Sequence, residues 1–380
     1  MFVRQFTARG FRNLDIEAQV LSPGVNILYG DNAQGKTNCL EALYFCALGR
    51  PLRADNIREL VAFGASELDS VRVHGEFSRT NRETVCETHT NNMPPFTIEA
   101  RIAMQANGKY CKSFTIDQVA VKNTRELFGQ VPVVSFAPED LQLIKAGPSE
   151  RRRFMDMEIC QLSPVYYKEL RDYTRALKQR NHALKTIKTV KRVDVDTLHI
   201  WDAQLVTHGI RIMRNRAAFI QKLQAFACDI HARITSGAET LSVTYAPHIS
   251  DAADYAQVLK AEAKRDIFLA TTTAGVHKDD IIVEIGGMSV RHFGSQGQQR
   301  TACLSLKLAE IAIMRHAMGG ITPILLLDDV LSELDGHRQR FLLQEISDLQ
   351  TIITCTGLED VLTRSANYNI LHVQDGKITS

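Results

Sequence analysis

Two periodicities of apolar residues divide the chain. Residues 2–7 alternate into Gly10-Phe11-Arg12-Asn13-Leu14, and a second alternating run passes through Ile16 and Ala18 to Val20, which predicts an antiparallel edge hairpin. Val25-Asn26-Ile27-Leu28-Tyr29 reads as a short buried strand. Across residues 38–48, Leu40, Leu43, Tyr44, Ala47 and Leu48 then recur at helical spacing. A loop and short helix are expected over 51–65, and strands over 70–77, 85–90 and 96–104, with polar turns at 78–82 and 91–95. This mostly antiparallel region carries no chemistry and reads as scaffold. The compact apolar run 131–136 predicts another strand, leading into the corner Ala137-Pro138-Glu139-Asp140-Leu141 and a helix for which Ser149 is the expected cap.

The middle of the chain changes to helical period. Over 166–192, Tyr166, Leu170, Tyr173, Leu177, Leu184 and Ile187 form one stripe, while Lys168, Arg171, Arg175, Lys178, Lys185, Lys188 and Arg192 lie along the polar side. Helical periodicity continues over 194–234 around Trp201, which reads as core, and around Leu205, Ile212, Phe219, Leu223 and Phe226. Two such segments predict an antiparallel helical insert, and sustained heptads are absent. A strand at 241–245, a helix over 255–265 and a hairpin turning at Gly286-Gly287 follow. Leu304, Leu308, Ile311 and Ile313 mark the inner face of a helix that opens at Ser295-Gln296-Gly297-Gln298. Strand-like runs at 324–327, 351–355 and 369–373 close the chain.

Composition narrows the class. With 380 residues, 44% of them hydrophobic and 23% charged, the chain can bury a sizeable core in two or three substructures. No apolar run is long enough to span a bilayer, and Arg4 and Arg9 interrupt any signal-peptide core, so no membrane association and a cytoplasmic location are expected. The eight cysteines form no Cys-x-x-Cys pair, which favours free thiols over zinc or disulfides. A net charge of +2 confines any nucleic-acid surface to a local patch.

The chemistry centres on Gly30-Asp31-Asn32-Ala33-Gln34-Gly35-Lys36-Thr37, which fits the phosphate-binding pattern G-x-x-x-x-G-K-[ST] between a strand and a helix. Glycines at both ends let backbone N–H groups wrap a polyphosphate. Lys36 would reach the β- and γ-phosphates, and Thr37 would offer its hydroxyl to Mg²⁺. Such a site needs a carboxylate for the metal, and the strand 324–327 ends in Asp328-Asp329. Asp328 is the expected Mg²⁺ holder, and Asp329 is placed to orient or deprotonate an attacking water. Ser295-Gln296-Gly297-Gln298 offers a second anion site at a helix start. Arg12 reads either as a guanidinium near phosphate or as a solvated turn charge, and Glu139 and Asp140 either as near-site carboxylates or as a capped turn. The basic side of 166–192 reads either as solvated or as a phosphate-backbone contact through Arg171, Arg175, Lys178 and Lys185. His277, Asp279 and Asp280 read as a structural turn rather than a metal site.

This set, in this order, resembles the ABC ATPase family, with Walker A at 30–37, a signature at Ser295 to Gln298, Walker B at Asp328 and a D-loop at Ser332 to Asp335. The long helical insert between the motifs resembles the SMC-like DNA-repair branch, and the blocks Phe136-Ala137-Pro138-Glu139-Asp140-Leu141, Gly147-Pro148-Ser149-Glu150-Arg151-Arg152-Arg153-Phe154 and Lys178-Gln179-Arg180-Asn181 resemble its RecF family. The resemblance implies an α/β, ABC-type ATPase head of mixed sheets around a P-loop core, with a second lobe of antiparallel helices. The expected division is 1–145 for the first half of the head, 146–270 for the lobe and 271–380 for the second half. It implies ATP and Mg²⁺ as cofactors, with Gly30, Asn32, Gly35, Lys36, Thr37, Asn38 and Arg12 on the nucleotide. It further implies an ATP-dependent homodimer in which Ser295, Gly297 and Gln298 reach a partner's nucleotide and Ser332 and Asp335 form the D-loop. Gapped, single-stranded or junction DNA is the implied ligand, RecR and RecO the implied partners and RecA the protein loaded. Four departures stand out. Asp329 replaces the usual glutamate, which implies a slow, switch-like, DNA-stimulated ATPase. No glutamine ends the 131–136 strand, although Gln142 is near. Thr354 or Thr356 stands where a switch histidine is expected, and the turn 275–280 has Val276 and Lys278 where proline and arginine are more usual. A transporter ATPase subunit is the alternative within the wider family, and a small-molecule P-loop kinase would leave the signature and D-loop unexplained.

Overall fold

The computed structural model describes residues 1–54, 56–62, 70–79, 94–190, 197–357 and 368–379. The strand expected over 85–90 and parts of the turns beside it lie outside the described residues. Two compact units are present: residues 1–140 with 310–380, and residues 141–309. The boundaries therefore fall at other places than those expected. By contact, residues 271–309 belong with the helices and not with the second half of the head.

The first unit holds two six-stranded sheets. One is antiparallel throughout and runs in the order Leu14–Val20, Phe2–Phe11, Val71–Ser78, Phe96–Met104, Tyr110–Ile116, Val119–Ala120. The alternating hairpin forms its edge as expected. The strands at 110–116 and 119–120 lie outside the runs that the sequence pattern marks, because Tyr110-Cys111-Lys112-Ser113 lacks a clean apolar alternation. The other sheet orders Lys377–Thr379, Asn369–Gln374, Val25–Tyr29, Thr351–Cys355, Ile324–Asp328 and Val133–Phe136. All neighbours in it are parallel except the terminal Lys377–Thr379 pair. Parallel strands are covered on both faces, which explains the unbroken apolar run Ile324-Leu325-Leu326-Leu327 and the adjacent pair Ile352-Ile353. The helix Lys36–Leu48 is buried along most of its length, which is why its apolar residues do not form a single stripe.

The second unit is built on helices Pro148–Leu162, Pro164–Val190 and Thr197–Ile234, with Tyr255–Leu269 and a three-stranded antiparallel sheet. Arg180 pairs with Asp202, and Glu169 pairs with His208 and Arg211, so numbers rise along one long helix as they fall along the other: the two are antiparallel. Trp201 is only half-buried, whereas Leu205, Ile212, Phe219 and Leu223 are core. Helix Pro148–Leu162 takes Gly147 as its N-cap and Pro148 in its first turn, so Ser149 lies inside the helix and does not cap it.

The turn Gly275 to Asp280 is a polar core. His277 Nδ1 meets Tyr173 Oη at 2.8 Å and its Nε2 lies 3.1 Å from the Thr272 carbonyl. Asp279 accepts from Arg216, Tyr245 and the His248 N–H, and Asp280 accepts both forks of Arg151 at 2.6 and 2.9 Å. These three residues are spent on structure. Burial lowers the His277 pKa from 6.5 to about 4, so the unfolded chain binds this proton more readily than the folded one. Stability from this group is complete above pH ~6.5 and is lost as the pH falls toward ~4, by about 2 kcal/mol between pH 7 and pH 5. Urea midpoints across that range should fall, and His277→Gln should flatten the fall; an equally steep slope in the variant would dismiss the histidine as its source.

Candidate nucleotide site

The carboxyl ends of four parallel strands converge. Val25–Tyr29 delivers the P-loop, Ile324–Asp328 delivers its aspartate, Thr351–Cys355 lies between them, and Val133–Phe136 leads to Pro138 and Glu139. A cavity of about 290 Å³ opens there, lined by Asn32, Ala33, Gly35, Lys36, Thr37, Asn38, Arg53, Pro138, Glu139, Asp328, Asp329, Thr354 and Thr356. Ligands of open α/β sheets bind at this end because helix N-termini and loop N–H groups gather there.

The loop's shape demands its glycines. Gly30 has φ +150°, and a Cβ there would sit 2.3 Å from the Val373 carbonyl oxygen. Gly35 has φ +112° and caps the helix Lys36–Leu48. Lys36 Nζ donates to the carbonyls of Gly30 and Asp31 at 2.5 and 2.7 Å, so the ammonium is held folded over the loop. Thr37 Oγ1 donates to Asp328 Oδ1 at 2.8 Å, and Thr354 Oγ1 donates to the same oxygen at 2.6 Å. Arg53 Nη2 bridges Asp328 Oδ2 at 2.6 Å and Glu139 Oε2 at 2.8 Å. The hydroxyl of Thr37 and the carboxylate of Asp328 are hard oxygen donors side by side, the set that suits Mg²⁺ when phosphate oxygens complete its shell. Asp329 adopts φ +52°, with its N–H on Thr354 Oγ1 at 3.0 Å and its carbonyl accepting from Ser332 Oγ at 2.7 Å. A non-glycine residue in that conformation is strained, and its hydrogen bonds hold it there.

The other expected residues fall as follows. Arg12 also has positive φ, but its Nη2 lies 2.6 Å from Glu41 Oε2, and it is not among the residues that line the cavity. Asn38 Nδ2 donates to Asn13 Oδ1 at 2.7 Å. Asp335 is the N-cap of Gly336–Glu345: the N–H groups of Arg338 and His337 hold its carboxyl below the usual range. Glu139 lines the cavity, whereas Asp140 accepts from the Ala137 N–H and closes the turn. Burial pushes the thiols of Cys39 and Cys355 up to about 12 and about 11, which leaves them protonated at neutral pH.

In the second unit, Ser295 and Gln298 form a reciprocal capping box: Ser295 Oγ accepts from the Gln298 N–H at 3.2 Å, and Gln298 Oε1 accepts from the Ser295 N–H at 2.9 Å. Gln298 Nε2 donates to Glu239, whose other oxygen lies 3.2 Å from the buried His231. Gly297 lies in the helix's first turn, and its carbonyl accepts from Thr301 Oγ1. On the long helix, Arg175, Lys178 and Lys185 are exposed and Arg171 is partly covered beside Asp172. Sequence reasoning missed Arg53. It lies in an irregular segment with no periodicity, and only its pairing with residues 86 and 275 positions away reveals it.

A family model described as the RecF/RecN/SMC N terminal domain matches residues 2–379. The chain is 42% identical over 385 residues to the DNA replication and repair protein RecF of Lachnospira eligens, with 100% of this chain and 99% of that protein covered. The chain belongs to the RecF family. A second RecF, from Lachnoclostridium phytofermentans, is 43% identical over 360 residues, covering 95% of this chain and 94% of that one. Among solved structures, the recombination mediator protein RecF with ATP in the RecFOR pathway superposes with a TM-score of 0.87 at 31% identity, covering 100% of this chain and 97% of the other. The Smc head domain of Pyrococcus furiosus, at 14% identity and a TM-score of 0.54, shares the fold. RecF membership and the two likenesses bear out the ABC-type head with its helical lobe. Among the described residues, no helix is long and apolar enough to cross a membrane.

Proposed function

We propose that this chain is an ATP-controlled DNA-binding protein of recombinational repair, which engages gapped, single-stranded or junction DNA as an ATP-sandwiched dimer and helps load RecA together with RecR and RecO. The observation that carries this reading is the convergence of Lys36, Thr37, Asp328 and Asp329 on one cavity in a chain of the RecF family. Lys36 would leave its carbonyls for the β- and γ-phosphates, and the helix N-terminus behind Gly35 would face the same charge. Thr37 and Asp328 would hold Mg²⁺, which would neutralise phosphate charge when bound. Asp329 would orient the attacking water, with one methylene less reach than glutamate, so turnover would be slow and switch-like. The Ser295 hydroxyl already accepts from Gln298, so its own proton is directed elsewhere and suits a phosphate oxygen presented by a second copy. Loss of the γ-phosphate would remove about 0.3–1 kcal/mol of attraction per helix end, which favours separation.

The test is fluorescence anisotropy on a gapped duplex at fixed salt, with ATP, with ADP and without nucleotide. Binding should be tightest with ATP, and equal binding in all three states would sink the clamp reading. The exposed face offers a second check. Replacing Arg171, Arg175 and Lys178 together by glutamine should reduce the slope of log affinity against log salt by about 2–3, since each phosphate contact contributes about 0.7–0.9. An unchanged slope would remove that face from the interface.

A further inference from the structure

The helix Tyr255–Leu269 ends on an exposed aromatic ring that is rigidly mounted. Phe268 is 76% exposed and Leu269 46%. Two residues before Phe268, Asp266 is fully buried: its Oδ2 accepts from Arg180 Nη1 at 2.5 Å, and its Oδ1 accepts from Thr273 N and Oγ1 at 2.8 and 2.6 Å. Arg180 also holds the Thr272 hydroxyl, and Ile267 packs against the cluster of Leu184, Ile187 and Leu198. Ala270 then closes the helix in the left-handed region at φ +56°. Burying a charged pair is costly, and here it clamps the last turn of the helix, where Ile267 packs inward and Phe268 and Leu269 face solvent.

Lys188 lies with its Nζ 5.8 Å from the centroid of the Phe268 ring. Lys188 is exposed on the helix Pro164–Val190 and follows the exposed Arg175, Lys178 and Lys185 along it. A line of cations leading to a fixed aromatic ring is the combination that binds single-stranded nucleic acid, the cations following the phosphates and the ring stacking a base. The two features call for different parts of one ligand. A duplex would satisfy the cations but keep its bases stacked inside, whereas an apolar protein partner would leave the cations unmatched.

We propose that Phe268, backed by Lys188, is a stacking seat for an unpaired base of single-stranded DNA, at the end of the basic row on the long helix. The proposal rests on the DNA-binding reading above and locates the part of the ligand that is not double-stranded.

The test compares wild type, Phe268→Ala and Phe268→Leu on an oligo-dT strand, a gapped duplex and a blunt duplex at one salt concentration. Phe268→Ala should weaken the oligo-dT and gapped complexes about five- to a hundredfold and leave the blunt duplex within twofold. Phe268→Leu, apolar without a π face, should behave like the alanine variant. The sequence has one tryptophan, so Phe268→Trp in a Trp201→Phe background supplies a single reporter whose emission should be quenched by oligo-dT. Binding of oligo-dT unchanged in Phe268→Ala would overturn the seat, as would equal weakening on all three DNAs, an intact leucine variant or an unquenched tryptophan. If wild type bound none of the DNAs, the DNA-binding reading itself would fail.

Discussion

Lys36→Met is expected to weaken ATP binding by two orders of magnitude or more while leaving the fold intact. Methionine keeps the length and apolar stem of the lysine, so packing around this largely buried side chain is preserved. What disappears is the ammonium that now donates to Gly30 O and Asp31 O. Without nucleotide those carbonyls would lose a donor, a modest cost because the cavity is open to water. In the nucleotide complex a polyphosphate would meet the loop without its point charge. Charge-assisted hydrogen bonds contribute about 1.5–3 kcal/mol each, so losing two amounts to roughly 3 kcal/mol or more. Titration of a fluorescent ATP analogue measures this directly, with the melting temperature as the control. Affinity within threefold of wild type, at an unchanged melting temperature, would mean that Lys36 is not the phosphate ligand. The same variant should lose any ATP dependence of DNA binding.

That Lys36, Thr37, Asp328 and Asp329 come together on one cavity was legible in the sequence because the parts are local. Gly30, Gly35, Lys36 and Thr37 stand in one octapeptide, and Asp328-Asp329 ends one apolar strand. The strands bearing them are short, apolar and parallel, so period and burial agree. Legibility ended where partners are distant. Arg12 sits in a hairpin turn and Arg53 in an irregular segment, and neither setting tells that Arg53 reaches Asp328 while Arg12 is engaged by Glu41. Arg151, Arg180 and Arg216 would pass for solvated charges on helices, yet all three are buried. Their carboxylates are Asp280, Asp266 and Asp279, separated in sequence by 129, 86 and 63 residues. No periodicity encodes that pairing. Unit boundaries failed for a related reason: the hairpin around Gly286-Gly287 is read correctly as a hairpin, but its pairing with Leu241–Ala246 assigns it to the helical unit.

Arg216 is expected to be among the most damaging positions to truncate outside the nucleotide cavity. Its Nη1 donates to Val276 O at 2.7 Å and Asp279 Oδ2 at 2.8 Å, and its Nη2 donates to both oxygens of Asp156 at 2.9 and 3.0 Å. Its Nε lies 3.1 Å from Asp156 Oδ1 and 3.2 Å from Tyr166 Oη, so every side of the guanidinium is engaged. Burial opposes the charge, but Asp156, Tyr166 and Asp279 outweigh it and hold the Arg216 pKa well above its usual value. Removing the guanidinium leaves Asp279, 1% exposed, charged and without its cation. Arg216→Met should therefore cost about 3–5 kcal/mol, the range for breaking a buried pair by deleting one partner. The asymmetry of buried pairs supplies the control. Adding Asp279→Asn to Arg216→Met removes the stranded charge, so the double variant should be more stable than the sum of the two single losses implies, by a coupling of about 1–3 kcal/mol. Denaturant unfolding of the four proteins reads this out. Additive losses would mean that Arg216 acts through packing of its aliphatic stem, and the turn from Gly275 to Asp280 would then owe its position to Tyr173, Tyr245 and Tyr255 instead.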